Sequence, residues 1–185
     1  MEVCKCKIEK FGLIDKLKCR IVFRGDLHKN AVEKDSWNPH ATWASLFVYL
    51  GFCAKYMMFP AQIDFVQAYV QTTLKGEKVY VMFPAFWKDL VPDDLKAYMG
   101  VPLLLVKALY GYTYSGRLLW EEQSEFLEQQ GMQPLDKMPA LWKRHLPNQG
   151  IHLVLQYSDD FLPACTDPKY HIQFKRAIET QFQAL

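Results

Sequence analysis

Residues 151–165 read IHLVLQYSDDFLPAC, and this stretch decides the fold. An apolar run reaches Tyr157, two carboxylates stand side by side at Asp159 and Asp160, and the chain turns apolar again at Phe161 and Leu162. Neighbouring side chains of a strand point to opposite faces. Two acids inside a packed ladder would therefore each cost several kcal/mol unless paired or metal-bound. A hairpin turn removes that cost, because the backbone leaves the ladder there and one carboxylate can point at a ligand. Two readings of the acids remain. One is an ordinary solvated turn, for which aspartate is a common residue. The other is a site for a hard cation, which takes oxygen ligands.

Working outward, Pro147-Asn148-Gln149-Gly150 is a turn signal, so a strand at 140–143 pairs back onto 151–156. A helix is expected from Pro168 through Phe174, Ile178 and Phe182. Another spans 115–130, with Leu118, Leu119, Phe126 and Leu127 on one side and Glu121, Glu122, Glu125 and Glu128 largely on the other, and Gly131 stops it. Further upstream, Trp43, Leu46, Phe47, Leu50, Ala54 and Met57 recur at helical spacing behind a Thr42 cap. Strands are read at 17–23, 61–65, 78–83 and 103–106, a loop over 26–40, a helical turn or two at 65–74, and a loop with a short helix over 84–102. This order of strands and helices predicts an α+β domain with a largely antiparallel sheet.

The bulk composition narrows the class. With 185 residues, half of them apolar, the chain is long enough for one domain with a real core. Net charge is +2 and carries no message about nucleic acid by itself, but segment 5–29 is rich in lysine and arginine. Five widely spaced cysteines argue against a disulfide scaffold, and Cys4 and Cys6 have no CxxC partner to complete a zinc site. Charges at 5, 7, 9 and 10 interrupt any signal-peptide core, and no apolar run is long enough for a membrane span. The final residues stop within a helical pattern, so the chain is expected to be the front part of something longer.

Asp64 repeats the puzzle of the opening stretch. It ends the apolar Ala61-Gln62-Ile63 and is followed by Phe65 and Val66. If Asp64 and Asp159 end neighbouring strands, they can share divalent cations of the kind that serve phosphoryl transfer. A helix cap is the plainer reading of Asp64.

Five blocks, in order, then resemble the reverse transcriptase of copia-type LTR retrotransposons. KCRIVFRG at 18–25 is similar to the family's KARLVARG, and QIDFVQAY at 62–69 to QMDVKTAFL. EKVYVMFP at 77–84 is similar to EEVYMEQP, Lys107-Ala108-Leu109-Tyr110-Gly111 is identical to KALYG, and Tyr157-Ser158-Asp159-Asp160 resembles YVDD. The resemblance runs from about 18 to about 167. It implies a right-hand polymerase with fingers over 1–60 and 78–115 and palm over 61–77 and 116–185. The family's thumb and RNase H regions have no counterpart in these residues.

What the resemblance implies about function is specific. The activity is RNA-directed DNA polymerase, a nucleotidyltransferase that extends a primer 3′-hydroxyl with deoxynucleoside triphosphates on an RNA template. Asp64 and Asp159 would be the principal ligands of two Mg²⁺ ions, or of Mn²⁺ in their place, with Asp160 required but less directly bound. Tyr69 matches the aromatic residue under the incoming sugar, unless it is a plain core residue. Arg20 and Arg24, expected on one strand face, match basic residues of the fingers that meet the triphosphate. Tyr157 would lie under the primer end and Lys107 near the primer and template. Tyr114 stands where a nucleotide-contacting glutamine is expected, Gly116 replaces a proline, and Ser158 replaces a valine. The implied partners are RNA, a DNA primer, and the polyprotein's capsid, integrase and RNase H parts. The implied location is a cytoplasmic virus-like particle, with the nucleus as the other option. The competing reading is an inactive retrotransposon remnant that binds nucleic acid or serves as a structural domain only. A palm-type nucleotidyl cyclase is a third reading, against which the block at 18–25 argues.

Overall fold

A computed structural model describes residues 2–8, 14–25, 37–76, 78–182 and 184, with the backbone alone at 2–8 and 15–19. Most of the loop expected over 26–40 and the Glu77 of the third block lie outside the described residues. The fold is α+β. Its centre is an antiparallel sheet built on the opening stretch. β9 (Ile151–Tyr157) and β10 (Asp160–Cys165) form a hairpin, and β8 (Met138–His145) and then β7 (Gln133–Leu135) extend it on one side. On the other side β10 is met by two short strands, β3 (Phe59–Pro60) and β4 (Ile63–Asp64). The expected strand at 61–65 is thus split, with Ala61 N–H bonded to the Pro163 carbonyl between the two pieces.

Period-2 alternation gives this sheet two apolar faces, and helices cover both. Trp142, Val154 and Phe161 belong to one core with Leu119, Phe126 and Leu127 of α3 (Ser115–Gln129) and Phe174 and Ile178 of α4 (Pro168–Gln181). Leu141, Leu153, Leu155 and Ala164 belong to a second core with Tyr49 and Cys53 of α1 (Trp43–Lys55). Helix ends follow local chemistry. Thr42 Oγ1 accepts from the Ser45 N–H at 3.1 Å, and Asp167 Oδ1 accepts from the Lys169 N–H at 2.9 Å. Gly131, at φ +72°, lets the chain leave α3.

Most of the residues at helical spacing in α1 lie outside its buried face, and of them Leu46 packs partly against the second core. The stripe Trp43, Phe47, Leu50, Ala54 and Met57 is exposed, and the buried face is Ser45, Tyr49 and Cys53. The two sides of this helix are both apolar enough to pack. Small Ser45 and Cys53 let the backbone approach the sheet while Tyr49 fills the gap between them.

The remaining strands form two small pairs. β1 (Glu2–Ile8) pairs with β2 (Ile14–Ile21), and β5 (Tyr80–Val81) pairs with β6 (Leu103–Leu104). The strands expected at 78–83 and 103–106 therefore shrink to two residues each. A four-residue helix, α2 (Ala68–Gln71), follows β4, and 3₁₀ turns occupy Ala85–Trp87 and Asp93–Tyr98.

Candidate active site at the hairpin turn between β9 and β10

The turn joining β9 to β10 is Ser158-Asp159, with Tyr157 and Asp160 as the closing pair. Ser158 adopts a left-handed φ of +51°. Asp159 thus sits in the turn and Asp160 opens β10, where β4 brings Asp64 into register with it. Asp64 is the register partner of Asp160, so their side chains share one face of the sheet. The Phe65 N–H donates to the Asp159 carbonyl at 2.9 Å, pinning the turn to the residue after Asp64.

A buried polar chain holds this turn from below. The Trp142 Nε1–H donates to Gln156 Oε1 at 3.0 Å, and Gln156 Nε2 donates to Gln123 Oε1 at 3.0 Å. Gln123 Nε2 in turn donates to the Ser158 carbonyl at 3.2 Å. On the near side the Ser158 and Tyr69 hydroxyls lie 3.2 Å apart. Every one of these groups is a neutral amide, indole or hydroxyl, so the turn is fixed without placing a cation beside the acids. Gln123, Gln156 and Ser158 are the residues that sequence reasoning missed as parts of the site. Glutamine flanking an apolar run carries no local signal of burial.

The carboxylates differ in their partners. Asp160 Oδ1 accepts from Gln62 Nε2 at 3.1 Å, across a separation of 98 residues. Among the described residues, the carboxylates of Asp64 and Asp159 make no hydrogen bond or ion pair. Both act on the Tyr110 phenol. Burial pushes the Tyr110 phenol above its ordinary pKa, the Arg20 guanidinium pulls it back, and Asp159, Tyr69 and Asp64 push it further up. One phenol therefore feels both acids and one arginine. The Arg20 guanidinium lies 5.1 Å from the centre of the Tyr110 ring, and the Tyr69 ring meets Tyr110 edge-on at 5.0 Å.

The other expected residues are placed as follows. Arg24 does not share a strand face with Arg20, because β2 ends at Ile21 and the Phe23 N–H turns to the Tyr110 carbonyl at 2.7 Å. Arg24 instead lines an apolar cavity beside β5. Tyr157 is exposed at the end of β9 and lines a cavity of about 550 Å³ with Trp43, Leu46 and Leu162. Tyr114 packs edge-on against Tyr112 at 5.5 Å, just before α3. Lys107 Nζ donates to the Gln71 carbonyl and to Thr73 Oγ1, so its ammonium ties two chain segments together. Of the acids expected on the outward side of α3, Glu125 and Glu128 are exposed and Glu121 is bonded to Arg117, whereas Glu122 is half-buried with its Oε2 turned out of solvent.

Two of the five blocks meet through glycine. A Cβ on Gly25 would collide with the Gly111 carbonyl oxygen, and a Cβ on Gly111 with the Phe23 carbonyl oxygen. Gly111 also holds φ at +83°. Only glycine permits this backbone approach, which seats Arg20 against Tyr110.

The donor chemistry suits magnesium: two unneutralised carboxylates, a third held by an amide, and no thiol or imidazole in the set. Among the described residues no group of three His, Cys, Asp or Glu side chains is placed to hold a metal ion. Magnesium is commonly held by one or two carboxylates with water and substrate phosphates completing the shell. Family models, curated proteins and solved structures yield no match to this chain. Among the described residues no helix is long and apolar enough to cross a membrane.

Proposed function

We propose that this chain is the fingers and palm part of a reverse transcriptase of the copia type. It extends a DNA primer on an RNA template by phosphoryl transfer. The observation that carries the reading is the register of Asp64 opposite Asp160, with the Asp159 carbonyl bonded to Phe65 N–H. Two sequence blocks far apart in the chain each bring an acid into this register, and those two blocks are the ones whose acids do the chemistry in the resembled family.

Asp64 and Asp159 would hold the metal, and Asp160, already engaged by Gln62, orients the pair. Bound there, Mg²⁺ supplies Lewis-acid activation of the primer hydroxyl and neutralises charge on the departing pyrophosphate. Arg20, exposed above Tyr110, is the guanidinium that meets the triphosphate. Tyr69, tied to Ser158, forms the floor under the sugar. The test is primer extension on an RNA template with Mg²⁺, beside Asp159→Asn. Extension that the substitution abolishes supports the reading. Duplex binding without extension by either protein replaces it with the inactive-remnant reading.

A further inference from the structure

We infer that the outer face of α1 is a self-association surface, on which a second copy of this chain lays its own α1 antiparallel. Trp43, Phe47, Leu50 and Ala54 recur along this face and are exposed, the three large ones by 76%, 66% and 47%. The Trp43 and Phe47 ring centres lie 6.2 Å apart, so the two form one patch. Met57, just past the end of the helix, is 83% exposed. Lys55 is the one charged residue of α1, and it stands at the helix end. A large aromatic side chain offers about 150–250 Å², and Leu and Met somewhat less, so these exposed fractions amount to roughly 500–600 Å² of apolar surface. That is the upper end for the largest patch on a monomer. Two copies that cover it remove about 1,000–1,200 Å², the lower limit of a specific interface. Trp, Phe and Met with few charges is also the composition of an interface core.

The face fits itself. A two-fold interface must be self-complementary, each feature meeting its counterpart on the other copy. By the helical turn, Trp43, Phe47, Leu50 and Ala54 lie along one flank of the exposed face, and Ala44, Gly51 and Lys55 along the other. An antiparallel pair related by a two-fold axis brings like flanks together. With the axis between Val48 and Tyr49, Trp43 lies across from Ala54 of the second copy, large against small, and Phe47 from Leu50. On the other flank Ala44 meets Gly51, so the two backbones can approach closely. The same register sets Met57 of each copy beside Ala41 of the other. There Ala41, Thr42, Trp43 and Leu46 line a cavity of about 550 Å³, and a flexible thioether suits an irregular apolar gap. Charge favours this direction too. Antiparallel packing holds the two Lys55 ammonium groups roughly 20 Å apart along the helices, whereas parallel packing sets them side by side.

Association needs no turnover, so the proposal stands or falls apart from the polymerase reading. Sedimentation equilibrium of the full chain, free of nucleic acid and taken from nanomolar to high micromolar concentration, should show monomer and dimer with a dissociation constant in the micromolar range. Gly51→Leu is the decisive variant. A Cβ at Gly51 meets no atom within 4 Å, so the monomer accommodates the change, and leucine favours helix over glycine. It should hold the two backbones apart and weaken the dimer about tenfold or more, with the urea midpoint of the dilute, monomeric chain unchanged or raised. Met57→Ala should weaken the dimer about tenfold. Phe47→Lys and Leu50→Glu should each abolish it alone and restore it when mixed, because residue 47 of one copy faces residue 50 of the other. A chain that stays monomeric throughout overturns the proposal and leaves this face to a different partner. Growth past the dimer without a plateau overturns it as well, since that is unspecific adhesion. So does a dimer that none of the four substitutions moves. A mixture of the two charged variants that forms no dimer overturns the antiparallel register.

Discussion

Lys78–Phe83 and Ile151–Tyr157 carry similar apolar, β-prone sequence, yet they become opposite kinds of structure. The later segment is a seven-residue strand with a partner on each edge, and five consecutive residues from His152 to Gln156 are buried. The earlier segment keeps only Tyr80–Val81 in register, with Leu103–Leu104, and leaves Tyr80 and Met82 exposed. The difference lies in what covers them. The late strand has a hairpin neighbour on each side and helices over both faces. The early one pairs with a two-residue strand alone and precedes Pro84, which cannot extend a ladder. β propensity thus records a fit to a half-buried surface, and the rest of the chain decides whether that surface exists.

The sharpest way to break the well-covered region is acid. His152 is fully buried in it, where burial first, then the charges of Arg144 and His171, lowers its pKa to about 3. Arg144 donates to His152 Nδ1 at 3.1 Å, which fixes the neutral ring. The folded pKa lies below the unfolded value, so the unfolded chain binds the extra proton between pH 6.5 and 3. The contribution is complete above pH 6.5 and is lost as pH falls toward 3. Between pH 7 and pH 4 this one group should remove about 3 kcal/mol. Urea unfolding at both pH values, with His152→Phe as the control, measures it. A pH slope unchanged in the variant would show that other groups carry the acid sensitivity.

The junction between the two regions comes next in size. Gly111→Ala forces a side chain into a left-handed φ and against the Phe23 carbonyl. About 2–3 kcal/mol of stability should go. Because Phe23 is bonded to Tyr110, Arg20 should lose its seat as well. Thermal unfolding reads the first effect, and nucleotide affinity relative to duplex affinity reads the second.

These cases also show what could be read in advance. The hairpin over 138–157, α3 and α4 were legible because their pattern, caps and partners lie close together in the chain. The turn at Asp159 was legible because a packed strand cannot hold two adjacent acids, although Asp160 itself is the first residue of β10. β7 was hidden by Pro134, which argues against a strand and is tolerated here at the sheet edge. β1 was readable in principle, since Cys4 to Ile8 alternates with lysine, but its high charge masked it. The glutamine chain beneath the turn was not legible, because hydrogen-bond partners at 123, 142 and 156 come together only through tertiary packing.

That chain gives the third prediction. Gln156→Leu keeps the apolar environment and leaves the Trp142 indole and the Gln123 carbonyl oxygen without their partner. About 1–2 kcal/mol of stability should be lost. The useful readout is Mn²⁺ affinity at the acids, followed by its paramagnetic signal. If the glutamines position the turn, metal binding should weaken more than stability alone explains, and Gln156→Glu at low pH should recover part of it.

The smallest effect should come from the exposed side of α1. Phe47 is 66% exposed, on the side away from Tyr49 and Cys53. Phe47→Ser should change stability by less than about 0.5 kcal/mol, as surface substitutions do. Cys53→Ser, on the opposite side, places a hydroxyl in the core of Tyr49, Leu153 and Leu155 and should cost more, despite the smaller change in volume. Urea midpoints of the two variants compare the faces directly. An apolar helix with two apolar sides is the case in which spacing identifies the element and fails to identify its orientation. A larger loss at Phe47 than at Cys53 would mean that α1 packs on the sheet by the other side.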